Sequence, residues 1–281
     1  MKLASRNLDT VIVIAAALFL FASLLLVVAV DIMNVFGVSE RLLAAQDGET
    51  AYVWYHWYEF PVEVLQWPAL AAAMLLFGII YGNASERSAG ADLSPLGPPP
   101  IVRRFSLLIA AGLLLMLLED AGDVRHIITD LMNMITGGAG SGSRYGYAAT
   151  LFELGYFAAL AAVMLFAIVR YRAAFIADRR AVIWLAGGIV FYAVAVTSSW
   201  AGSAFGAVLD ISQLYTAIGN RAVELLFVNG AHSEALYEQA RDTVGNVGFM
   251  FMDRVYEETL ELMGAAFLLA AAVRVYNLMR Q

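Results

Sequence analysis

Cysteine is absent from all 281 residues, which excludes disulfides, iron–sulfur clusters and thiolate metal sites. Lysine occurs once, as Lys2, outside any apolar run. That excludes a retinal Schiff base and covalent lysine chemistry. Histidine occurs three times, at His56, His126 and His232, never as a pair inside an apolar run, so haem held by two histidines is not expected. Charged residues make up only 15% of the chain, against about a quarter in a soluble domain. The net charge is −7 and no basic run is present, so nucleic acid is not an expected partner. No nucleophile elbow is visible. The glycines of TGGAGSGSRYGY (136–147) lack phosphate-loop spacing and a preceding strand, and read as a linker.

What remains is apolar: 61% of residues are hydrophobic and the mean hydropathy is +0.72. The expected class is an all-α polytopic membrane protein forming one integral membrane domain over residues 1–281. Hydropathy places six spans at about 8–36, 62–82, 103–120, 147–170, 181–201 and 255–275. The first apolar run, Val11 to Val30, is longer than the core of a cleavable signal peptide, so an uncleaved helix is expected. Pro61 and Pro68 predict a kink or a helix start in span two. The Ser/Gly/Pro stretch 83–102 reads as a linker. Segment 202–246 reads as one or two amphipathic helices over the outer face.

Arginine placement sets the expected orientation. With six spans, Lys2 and ten arginines fall on one side and six arginines on the other, which puts both termini in the cytoplasm. The expected location is the cell (inner) membrane, multi-pass; the stretch EETLELMGA (257–265) is similar to the acidic last helix of polytopic bacterial membrane proteins, a resemblance that supplies no expectation of function. The pieces VAVDIMNVFG (28–37) and RHIITDLM (125–132) resemble parts of small membrane subunits of tripartite carboxylate transporters. They cover under a tenth of the chain and supply no expectation of function.

The informative polar residues lie at helical spacing near the outer span ends. His56, Glu59, Glu63 and Gln66 lead into span two, and Glu119, Asp123, His126 and Asp130 leave span three. Arg254, Glu258 and Glu261 begin span six, and Glu153 lies in span four. Steps of three and four place each set on one helix face. At a rise of about 1.5 Å per residue, Glu119, Glu261, Glu153 and Glu63 reach roughly 20–28 Å from the inner boundary. All four therefore fall in the outer third of a core about 30 Å thick.

A lipid-facing carboxylate costs about 2.5–3.5 kcal/mol, so these groups are expected to face the interior, paired, protonated or bound to a cation. Arg125 and Arg254 are the expected charge partners. Oxygen and imidazole donors suit iron, manganese or zinc. The expected ligand set is His56, Glu59, Glu63, Glu119, Asp123, His126, Glu153, Glu258 and Glu261, resembling di-metal carboxylate proteins in ligand type. Three functions fit: a membrane-embedded metal-dependent enzyme on an apolar or lipid substrate, a cation- or proton-coupled transporter or channel subunit, and a structural subunit of a larger complex or homo-oligomer.

Overall fold

The computed structural model describes residues 7–38, 41, 58–87, 99–136, 147–202, 211–227 and 247–280, and among these every regular element is a helix. In chain order they are α1 (Leu8–Val27), α2 (Phe60–Arg87), α3 (Pro99–Asp120), α4 (Val124–Thr136), α5 (Tyr147–Arg170), α6 (Arg179–Gly202), α7 (Ile211–Phe227), α8 (Val247–Phe251) and α9 (Glu258–Met279). A π-helical turn, Met252–Glu257, joins α8 to α9.

Among the described residues, five stretches are long and apolar enough to cross a membrane: Leu8–Val30, Phe60–Ala84, Pro100–Asp120, Arg179–Val196 and Gly248–Met279. A shorter apolar stretch, Leu154–Arg170, lies within α5. Large aliphatic and aromatic side chains such as Leu18, Phe21, Leu75, Phe166 and Val190 are exposed. An apolar surface on this scale is suited to lipid contact and would associate in water.

The helix limits differ from the expected ones where local chemistry outweighs hydropathy. α2 extends to Arg87 and α3 starts at Pro99, so helix takes both ends of the stretch read as a linker. Its remainder, 88–98, lies outside the described residues, as does 137–146 of the glycine-rich linker. Pro61 occupies the first turn of α2, where a missing N–H costs nothing, while Pro68 lies inside the continuous helix. The expected face from Glu119 through Asp123 to Asp130 is interrupted. α3 stops at Asp120 and α4 starts at Val124, with Asp123 in the left-handed region at φ 48°. Of the 202–246 connection, α7 is described, whereas 203–210 and 228–246 lie outside the described residues.

The contacts divide the chain into two compact units. The first comprises residues 1–15, 66–191 and 263–281. Its core gathers Phe77 and Ile80 of α2, Phe105, Ile109 and Leu113 of α3, and Ala265, Leu268 and Ala272 of α9. Phe105 stacks on Phe175 at 5.0 Å and meets Phe77 edge-on at 6.0 Å. Gly188 of α6 lies against Leu268 and the Gly264 carbonyl, so the two backbones approach closely. Asp178 precedes α6, accepts the Ala181 N–H at 2.8 Å as a helix cap, and pairs with Arg274 at 2.6 Å. Asp9 is buried and accepts the Trp184 indole N–H at 3.0 Å.

The second unit comprises residues 16–65 and 192–262. Tyr215 of α7 and Met252 form its described aromatic core with Phe249, Phe251 and Tyr256. The Tyr215 hydroxyl donates to the Met252 carbonyl at 3.1 Å, tying α7 to the start of the π turn. Gly219 of α7 faces the backbone of Gly248, and a Cβ there would collide with its carbonyl. These contacts fix the turn that carries Arg254.

Candidate metal centre

Three carboxylates meet in the second unit. Glu59 comes from the turn preceding α2, Glu63 from the first turn of α2, and Glu258 from the start of α9. Glu59 and Glu63, four residues apart, share a helix face. One oxygen from each of the three lies within 4.8 Å of the others. Ligand oxygens on one cation bound at about 2.0–2.6 Å are separated by roughly 3–5 Å, so a small side-chain closure would bring all three onto one ion. Glu59 and Glu258 are buried and Glu63 is half-buried.

Among the described residues, the Arg254 guanidinium adjoins the group. Arg254 donates through Nη1 to Glu59 Oε1, and its Nε lies 3.6 Å from Asp253 Oδ2. Glu59 Oε2 is buried and has no hydrogen-bond partner among the described residues. The hydroxyl of the buried Tyr58, the residue before Glu59, shares a hydrogen bond with Thr259 Oγ1. Thr259 in turn donates to the Val255 carbonyl at 2.6 Å. This contact ties the residue before Glu59 to the residue after Glu258, and so holds the two acidic strands of chain in register.

The other expected ligands are placed differently. Glu261 is half-buried on α9 in the second unit. Glu119 and Asp123 belong to the first unit, at the end of α3 and in the turn before α4. His56 and His232 lie outside the described residues, as do the side chains of Arg125, His126 and Glu153. Arg254 pairs with Glu59 of the segment before α2, and the π turn Met252–Glu257 carries it directly before Glu258.

Sequence reasoning missed several polar contacts of the fold. Gln66 is buried and donates to Asp120 Oδ2 at 2.8 Å, and the Tyr156 hydroxyl donates to the Leu115 carbonyl at 2.5 Å. The signal for Gln66 was present, since it continues the polar face of Glu59 and Glu63. Tyr58 and Thr259 gave none, being ordinary neighbours of an aromatic belt and an acidic run.

Among the described residues, helices long and apolar enough to cross a membrane and a largely buried three-carboxylate cluster beside Arg254 define an all-helical, membrane-like chain with an acidic cluster. The chain matches no known protein family, no curated protein and no solved structure.

Proposed function

We propose that this is a membrane metalloprotein in which Glu59, Glu63 and Glu258 bind a divalent cation. The observation that carries the reading is their convergence within 4.8 Å in a buried setting. Three like charges at such range repel strongly in a low dielectric, and a bound cation offsets that repulsion. Oxygen donors favour hard or borderline ions, manganese, iron or zinc among them. His56 precedes Glu59 by three residues and is the natural additional donor. Glu119, Asp123, His126, Glu153 and Glu261 complete the wider polar set.

In this reading the chain forms six spans in the cell (inner) membrane with both termini cytoplasmic, and the site lies in the outer leaflet. The connection 202–246 covers that side. The chemistry is metal-assisted: a cation polarises a bond of an apolar or lipid substrate, and a neighbouring carboxylate takes a proton.

Metal analysis of purified protein and Mn2+ titration followed by electron paramagnetic resonance test the site. Wild type is expected to hold about one ion per chain. Glu59→Gln and Glu258→Gln should each weaken Mn2+ binding by at least ~10-fold, the scale of losing a metal-site group. Glu224→Gln serves as control, because Glu224 is exposed and pairs with Arg221 at 3.0 Å on α7. Metal-free protein that conducts ions or protons in vesicles would replace this reading with a transporter or channel subunit. Metal-free, transport-inactive protein that still assembles into a larger complex would replace it with a structural role.

A further inference from the structure

The charged side chains of the first unit are spread unevenly, and helix contacts bring the basic ones to one end. We propose that this end binds the headgroups of anionic phospholipids, with Arg170, Arg172, Arg179 and Arg180 at the centre of the surface. It belongs to the first unit and is independent of the carboxylate cluster.

Four contacts place the helix ends together. Phe105, near the start of α3, stacks on Phe175 of the turn between α5 and α6. Arg103 donates to the Tyr81 hydroxyl near the end of α2 at 3.1 Å. Arg274, late in α9, grips Asp178 in the same turn, and Trp184 of α6 meets Asp9 in the first turn of α1. Arg103 and Arg104 of α3, Arg170 of α5, Arg172, and Arg179 and Arg180 of α6 are all exposed here. The acids described at this end are Asp9, buried against Trp184, and Asp178, held by Arg274. Glu119 and Asp120 lie at the opposite terminus of α3. Even with Glu86 and Asp92 of the adjoining sequence set against them, these six arginines with Arg274 and Arg280 outnumber the four acids.

Two features select a phosphate that carries acyl chains. Tyrosine rings support three guanidinium groups: Arg103 lies over Tyr81 at 4.9 Å, Arg170 over Tyr171 at 5.5 Å and Arg280 over Tyr276 at 5.7 Å. A stacked guanidinium is held by its face while its N–H edge can donate to phosphate oxygens. Apolar side chains are exposed directly beside the arginines: Phe166 and Val169 before Arg170, Ile176 within the turn, and Ile183 one helical turn after Arg179. A phospholipid covers both the charge and the apolar band, whereas a soluble anion leaves the band in water. Basic residues at a membrane surface each add to the attraction for anionic lipid, so the stretch 170–180, with four arginines, dominates.

The test reconstitutes the full chain in phosphatidylcholine vesicles with a trace of spin-labelled phosphatidylglycerol or spin-labelled phosphatidylcholine. Electron paramagnetic resonance reads the fraction of each lipid immobilised on the protein. Wild type is expected to prefer phosphatidylglycerol at least ~5-fold at low salt, and the preference should shrink at high salt. The triple variant Arg172→Gln, Arg179→Gln, Arg180→Gln should lower the preference at least ~3-fold. Arg172→Gln alone should lower it at least ~2-fold, which keeps the proposal falsifiable if the triple variant does not fold. Arg221→Gln, an exposed arginine of α7 in the second unit, should leave it unchanged. Equal immobilisation of the two lipids by wild type overturns the proposal. So does an unchanged preference in the triple variant, or in Arg172→Gln where the triple does not fold, and so does an equal loss in Arg221→Gln.

Discussion

At the scale of single residues, Asp178 shows how one carboxylate serves two ends. It caps α6 through the Ala181 N–H and grips Arg274 with both oxygens, at 2.6 to 3.2 Å. The Arg274 hydrogen bonds hold its carboxyl below the ordinary aspartate range, and the backbone N–H of Ala181 adds to this. A pKa lowered on folding means that the group stabilises the fold above its unfolded value of about 3.9. That contribution fades as pH falls through the lower, folded value. Wild type should therefore lose thermal stability in detergent, as pH falls below the unfolded aspartate value of about 3.9, more steeply than Asp178→Asn, which keeps the cap but has no charge to lose. Parallel melting curves for the two proteins would contradict the assignment. The same scale governs the metal ligands, where Glu59→Gln and Glu258→Gln remove a charge with little change of shape.

Elements meet where side chains are smallest. Gly219 of α7 lies against the Gly248 carbonyl of α8, so that even a methyl group has no room without main-chain movement. Gly219→Ala is expected to cost about 1–3 kcal/mol, the range of overpacking. Gly78→Ala on α2 is the internal comparison, since nothing lies within 4 Å of the added methyl and alanine is the better helix former. Chemical denaturation in mixed micelles should separate the two variants, with Gly219→Ala destabilised and Gly78→Ala equal to or above wild type. Because α8 leads directly into the turn bearing Arg254, Gly219→Ala should also loosen Mn2+ binding, though less than loss of a ligand.

The whole molecule can be mapped with unusual directness because wild type has no cysteine. Single cysteines at Ser88, Ser141 and Ser233 sample the connections after α2, after α4 and after α7. With six spans and cytoplasmic termini, a membrane-impermeant maleimide added to intact cells should label Ser141→Cys and Ser233→Cys but leave Ser88→Cys unmodified until the membrane is opened. Labelling of Ser88→Cys from outside, or protection of Ser233→Cys, would refute the six-span arrangement.

Composition and periodicity by themselves determined that this chain is helical and suited to a membrane, because apolar runs of up to 20 residues, such as Val11 to Val30, satisfy their backbone in lipid only as helices. Glu59, Glu63 and Glu258 were visible as site candidates from their helical spacing and from the cost of placing charge beside apolar sequence. Which carboxylates meet was not visible, since α-helical spacing reports one face of one helix and says nothing of its neighbour. The π turn at Met252–Glu257 breaks the period on which that spacing argument rests, and the left-handed Asp123 does the same after α3. Only the tertiary structure paired Arg254 with Glu59, joined Tyr58 to Thr259 across the chain, and gathered three carboxylates from two distant segments. Those choices depend on packing between helices, where a fraction of a turn decides which charge finds which partner.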